Sequence, residues 1–322
     1  MFSGRYNMER DEFFEKNGLF LMQSDNYAAF KGIKNKSIVV EHEEQIKAVL
    51  TPDATMGKVY FEHDNYLGEL FSNLKKLKNP KFTIMQDDEN FWKIYFAAVD
   101  NKFKPEASTT LRIPLTKYTE DSLFESIDKK TRNAIRKAEK WGIKIKQHHE
   151  VENWAEKYLE LDLELRKRRG FLIKKGVEEI KKFEKLNNVR IFFAEFEGKI
   201  VGSTVLVFFG HNAYLLANAS LTEYMKYKPN NCLYWRNIQE CFNHKMHYFY
   251  LGGTANDYQK RHFKSGFGAE PVLTITFSKL TGLKGFAGKI ISKLDKINRL
   301  DFSKIIKSFF KHDKNSTSSA EL

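Results

Sequence analysis

At 322 residues, the chain has room for two domains of about 150 residues or one large α/β domain. Its 42% hydrophobic and 14% aromatic content fills ordinary cores and excludes global disorder, while two cysteines, Cys232 and Cys241, exclude a disulfide-built scaffold and a four-cysteine zinc site. Lys plus Arg number 54 against 41 Asp plus Glu, a net charge of +13 that suits polyanionic partners such as nucleic acid, anionic lipid or phosphorylated substrates.

The N-terminal run MFSGRYNMERDEFFEK has no apolar segment after a basic start, so it does not read as a signal peptide. No apolar run approaches the roughly 18 residues of a spanning helix. The expectation is a reducing, cytoplasmic setting. Residues 5–115 read as a mixed α/β unit, with helices over 7–17 and 67–78 and strands over 19–22, 37–41 and 82–85. One continuous helix is expected from an N-cap at Asp121 or Ser122 to a stop at Gly142, with Leu123, Phe124, Ile127, Thr131, Ala134, Ile135 and Ala138 as its apolar stripe. Arg132, Arg136 and Lys140 align along its other face at i, i+4 and i+8. Residues 129–146 hold eight Lys or Arg against the single Glu139. Such a face is either solvated or in contact with phosphate.

A strand at 143–145 follows, then helices over 151–169, ended by Gly170, and 174–186. Strands over 190–197, 199–209 and 213–220 come next, the first pair joined by the tight-turn dipeptide Glu197-Gly198. A helix over 231–246 and strands over 247–251 and 272–279 complete the pattern. This order is the one expected of a GNAT-type acyltransferase unit. The tail from residue 279 holds ten Lys or Arg against four acids, with Leu283, Phe286, Ile290, Ile291, Leu294 and Ile297 at helical spacing. It suits an anionic membrane surface or packing back onto the body, and the pattern leaves both open.

Several chemistries are missing. The sequence has no phosphate-binding G-x-x-x-x-G-K-[ST] loop, no H-E-x-x-H helix and no G-x-S-x-G elbow. The close histidines, 148–149 and 244 with 247, lack the companions of a metal site. GNAT enzymes that use acetyl-CoA cradle its pyrophosphate on a glycine-rich loop at a helix N-terminus. The equivalent stretch here, residues 225–232, has no glycine, and Pro229 removes an amide donor.

The stretch SLFESIDKKTRNAIRKAEKWGIKI resembles the basic signature of the Fem-type (FemABX) transferases, which move amino acids from aminoacyl-tRNA onto cell-wall precursors. ELRKRRGF, ANASLTEY, LYWRNIQECF, LGGT and HFKSGFGAEP resemble further family segments in the same order, covering about residues 109–272. The resemblance implies an α/β (α+β) fold of two tandem GNAT-like units. These would span 1–145, ending in the basic helix, and 146–279, the catalytic unit, followed by the tail 280–322. It also implies that Phe263-Lys264 is the family's Phe-Lys pair, with Lys264 near the reacting ester. By the same resemblance Arg168 would lie near precursor phosphates, with Ser220 and Tyr224 as a polar pair after the third strand of that unit. Arg132 and Arg136 are further candidates for phosphate. Two family aspartates are replaced, one where Pro114 precedes Leu115 and one by Tyr250 before the paired glycines.

The expected function is an aminoacyl- or acyltransferase acting on an amine or hydroxyl of a cell-envelope glycan or of a lipid-linked or nucleotide-linked precursor. No metal or bound cofactor is expected, and aminoacyl-tRNA would be the co-substrate. Two alternatives stay open: an acyl-CoA-dependent N-acyltransferase for an exopolysaccharide or small molecule, and a non-catalytic RNA- or membrane-binding adaptor. The expected place is the cytoplasm, with the tail as a route to the inner face of the membrane.

Overall fold

A computed structural model of the chain describes residues 3–34, 37–54, 56–170, 176–253 and 257–279. The tail read from the sequence lies outside these, as do Phe171 and Thr254 of the family-like segments.

The chain opens with α1 (Ser3–Lys16) and α2 (Asp25–Lys31). The strand expected over 19–22 is instead a 3-10 turn, Leu21–Gln23. Buried Gln23 explains the difference. Its carbonyl oxygen accepts from the amides of Phe20 and Lys58, and its amide donates to the Lys58 carbonyl and the Thr51 hydroxyl. Those bonds need a turn, and four apolar letters do not reveal them. β1 (Ile38–His42), β2 (Gln45–Leu50) and β3 (Tyr60–Phe61) form a three-stranded antiparallel sheet. Leu67, Leu70, Phe71 and Leu74 bury one face of α3 (Asp64–Leu74) in the core of this half. β4 (Lys81–Met85), α4 (Phe91–Asp100) and β5 (Lys104–Pro114) follow.

The single basic helix of the sequence reading is two helices, α5 (Glu120–Ser126) and α6 (Lys129–Lys140). Thr119, not Asp121 or Ser122, caps the first. Ile127 is extended and buried, and Arg132 donates from Nη1 to the carbonyls of Glu125 and Ile127. The Asp128 amide donates to the Gly266 carbonyl at 3.1 Å. The break therefore satisfies the carbonyls at the end of α5 and sets α6 against the later chain.

The rest runs β6 (Lys144–Gln147), α7 (Trp154–Arg169), α8 (Val177–Lys181), β7 (Val189–Phe196), β8 (Lys199–Phe209), β9 (Asn212–Ser220), α9 (Pro229–Asn243), β10 (Tyr248–Gly253), α10 (Tyr258–Ser265) and β11 (Glu270–Ser278). The helix expected over 174–186 is the short α8 plus a 3-10 turn, Lys182–Lys185. No helix among the described residues is long and apolar enough to cross a membrane.

The order α1-α2-β1-β2-β3-α3-β4-α4-β5 recurs as α7-α8-β7-β8-β9-α9-β10-α10-β11. The chain thus carries the same GNAT-like order twice, in tandem. The two halves then exchange their last strands. In the eight-stranded mixed sheet β4-β11-β5-β10-β9-β8-β7-β6, β5 of the first half pairs with β10 of the second, and β11 pairs with β4. β5 and β11 pair with each other over nine residues, from Arg112 opposite Glu270 to Lys104 opposite Ser278. One apolar core, with Ile135, Leu233 and Phe267, lies under α6 and α9; another, with Phe14, Tyr158 and Phe193, lies under α1 and α7.

Candidate functional site

β9 and β10 are the neighbouring parallel strands of the sheet, and they pair over only three residues, 212–214 with 248–250. Beyond that point they part. β9 stays with β8 as far as Ser220, while β10 follows β5 through a bulge that leaves Leu251 unpaired between Tyr250 and Gly252. Gly252 takes φ 72°, a left-handed conformation that glycine adopts without strain. Residues 215–218 consequently are half-buried although their strand is interior, whereas Ala213 and Tyr214 are buried. The open edge of β10 presents carbonyls that no strand reaches.

Lys264 meets the end of β10 beyond the point where the two strands part. Its ammonium donates to Leu251 O at 2.5 Å, with Gly252 O and Gly253 O at 3.4 and 3.5 Å. The residue is 8% exposed. Burial lowers its pKa to about 8; repulsion from Lys260 adds to this and Asp257 opposes it. α10 is placed by its ends. The Asp257 side chain accepts from the Lys260 amide at 3.0 Å, and Gly266 meets α6 closely enough that a Cβ there would lie 2.5 Å from Thr131 Oγ1. Phe263 packs edge-to-face on Tyr234 and Phe267, with centroids 5.0 and 5.3 Å away, so its ring seats α10 on the core.

At the far end of β9, Ser220 is buried and accepts from Asn230 Nδ2 at 3.2 Å, while Asn230 Oδ1 accepts from Asn218 Nδ2 at 3.2 Å. This polar ladder runs from the open stretch of β9 to the start of α9. Arg168, exposed at the end of α7, donates to Thr222 Oγ1 at 2.7 Å. Arg166 is committed to buried Asp162 at 2.6 Å, which singles out Arg168 from its basic neighbours as the guanidinium beside the turn after β9. Tyr224, in the same turn, lies under Lys199 Nζ at 5.0 Å. Asp257 feels the charges of Lys260 and Arg169, which joins the end of α7 to the start of α10. Arg168, Ser220 and Tyr224 thus gather around the turn after β9, and Lys264 is linked to the end of α7 through Asp257.

Arg132 and Arg136 part company. Arg132 faces the carbonyls of the α5–α6 junction, and Arg136 is exposed over the Phe124 ring at 5.4 Å. Residues that the sequence reading did not single out extend the basic surface toward the turn after β9. Lys137 lies over Trp141, Trp141 meets Tyr227 edge-on at 5.9 Å, and Lys226 lies over Tyr227 at 5.0 Å. Interleaved cations and aromatics were the available signal, but only the fold makes 141 and 227 neighbours. The turn into α9 has left-handed Lys228 as N-cap and Pro229 at the first helical position, so it lacks the glycine cradle of a pyrophosphate loop. Both cysteines are buried, and burial pushes the Cys232 thiol up to about 12, which removes it as a nucleophile near neutral pH. No cluster of three or more metal-binding side chains occurs among the described residues.

This geometry defines a class: two GNAT-like units in tandem that share one eight-stranded mixed sheet. Residues 126–260 match the family model described as an acetyltransferase (GNAT) domain. Among solved structures, FemX is similar with a TM-score of 0.66 at 16% identity, covering 85% of this chain and 96% of that one. The C-terminal domain of a protein described as a lysylphosphatidylglycerol synthetase from Agrobacterium fabrum gives 0.58 at 11%, covering 91% and 97%. L-PGS from Bacillus licheniformis gives 0.56 at 12%, covering 90% and 96%. At these identities the shared property is the fold. No curated protein matches the chain.

Proposed function

We propose that the protein is an aminoacyltransferase that moves an amino acid from aminoacyl-tRNA onto an amine or hydroxyl of a cell-envelope glycan or of a lipid-linked or nucleotide-linked precursor. The observation that carries this reading is the buried Lys264 ammonium on the carbonyls of β10 beyond its pairing with β9. In aminolysis of an ester, the acceptor nitrogen bonds to the carbonyl carbon and an oxyanion forms. The C–O bond to the ribose then breaks, and the leaving hydroxyl takes the proton that the amine gives up. A fixed positive charge beside that oxyanion in a water-poor site is worth several kcal/mol. Two of the lysine's bonds are long, 3.4 and 3.5 Å, and are the ones a ligand oxygen would replace. Arg168 and the cation–aromatic surface from Lys137 to Lys226 suit phosphates and a single-stranded nucleic-acid end. Likeness in fold to FemX and to a lysylphosphatidylglycerol synthetase domain supports aminoacyl transfer at the envelope.

A second reading, transfer from acyl-CoA to an exopolysaccharide or small molecule, is favoured by the GNAT-domain match over 126–260 and opposed by the turn before α9. The test is to incubate the protein with aminoacyl-tRNA or acyl-CoA and candidate glycan acceptors, and to follow consumption of ester or thioester. Acceptor-dependent ester loss that Lys264→Met abolishes is the expected result. Thioester loss alone selects the second reading, and neither leaves only a binding scaffold.

A further inference from the structure

Among the described residues, three exposed large hydrophobic side chains lie together on α4, outside the residues of the site just described. Trp92 and Phe96 are 64% and 60% exposed, and Val99 is 39% exposed. Their spacing, i, i+4 and i+7, places them on one ridge, and the Trp92 and Phe96 rings stack at 6.0 Å. The opposite side of the helix, with Phe91, Ile94 and Ala98, is buried in the core. An exposed aromatic ridge of this kind marks an interaction surface.

What surrounds the ridge identifies its partner. Phe71 near the end of α3 meets Phe103 just beyond α4 at 5.9 Å, and Lys279 bonds both Pro80 and Asn101, so these chain ends converge. There Lys75, Lys76, Lys78, Lys102 and Lys104 are exposed, and none of the five forms an ion pair among the described residues. Leu77 is exposed among them at 38%, and the acids of that end are Asp100, Glu106 and Asp53, the last paired with Lys81. The acids 87–89 lie at the other end of α4. From Lys279 the sequence enters the basic apolar tail.

We propose that the α4 ridge and its lysine rim dock on an anionic bilayer surface. Trp92, Phe96 and Val99 would enter the headgroup layer while the lysines meet lipid phosphates. Charge decides against the other occupants. The tail is itself basic, and a second copy would bring two lysine rims together. The inference is independent of the reaction proposed above.

The test uses the full chain and sedimentation with vesicles of phosphatidylcholine, with and without phosphatidylglycerol. The wild type should bind the mixed vesicles and release in high salt. Trp92→Ser/Phe96→Ser and Lys75→Glu/Lys76→Glu/Lys78→Glu should each weaken that binding by at least about tenfold, while circular dichroism stays unchanged. Brominated lipid should quench the part of the emission that Trp92→Phe removes. Unweakened binding by both variants overturns the proposal. So does a wild-type dimer in light scattering that the serine variant dissolves, which would assign the ridge to a second copy. Shielding of Trp92 from acrylamide in the lipid-free monomer would assign it to the tail and also overturn the proposal.

Discussion

Lys264 pairs a charge with a site that penalises charge, and its titration is where that conflict is measured. Burial, reinforced by Lys260, brings its pKa down to about 8 from the ordinary 10.5, while three carbonyl oxygens hold the protonated form in place. If the ammonium stabilises an oxyanion, the rate of acyl transfer falls as pH rises through about 8. In Lys264→Arg, which keeps its charge, that decline disappears even though the plateau rate drops. A pH–rate profile that climbs through 8 would instead make the free amine a base. Stability carries the same signature with a definite sign. Below about 8 both folded and unfolded chains hold the proton, and the folded state bears the full cost of the buried charge. Between about 8 and 10.5 the folded state releases its proton first, so stability rises with pH relative to a variant without the group. Urea midpoints of wild type and Lys264→Met at pH 7 and pH 10 should show the wild type gaining on the order of 2–3 kcal/mol over that interval.

Among the elements, the α5–α6 pair separates an arginine bonded within the fold from an exposed one, although the two look alike in sequence. Arg132→Ala removes the donor to two carbonyls and should cost about 1–3 kcal/mol of stability, seen as a lower denaturation midpoint, with little change in KM. Arg136→Ala should leave stability within about 0.5 kcal/mol yet weaken retention of RNA on a filter and flatten its salt dependence. The i, i+4 spacing that grouped the two residues gave no warning, because Arg132 turns toward a helix break created by buried Ile127 and by the Gly266 carbonyl. What local pattern determines was legible: the stop of α7 at Gly170, and the β7–β8 turn, where Glu197 and Gly198 take φ 49° and 78°. α4 and β5 escaped notice, since the first half of β5, KPEAST, is exposed and carries no alternation of apolar residues. At the site, Lys264 was reachable through resemblance. The Asn218–Asn230–Ser220 ladder was not, since it depends on where β9 leaves β10.

For the molecule as a whole, the exchange of β5 and β11 decides what can fold alone. A cut at residue 145 falls between the repeated orders of elements but inside β6, and the sheet crosses it. In a fragment of residues 146–279, β10 would lose its antiparallel neighbour along 248–253, and β11 would lose both β5 and β4. Two unpaired edges, with Phe277 and Ile275 stripped of the first-half core they enter, invite association instead of folding. The first-half fragment, 1–145, faces the reciprocal loss. Each fragment expressed alone should therefore be aggregated or lack cooperative unfolding. Coexpression should yield a soluble one-to-one complex, because the β5–β11 ladder rebuilds without a covalent link. Size-exclusion chromatography and thermal denaturation of the three preparations distinguish the outcomes. A monomeric, cooperatively melting 146–279 fragment would mean that β11 can fold back beside its own β10, and that the exchange adds linkage without being needed to form the second half.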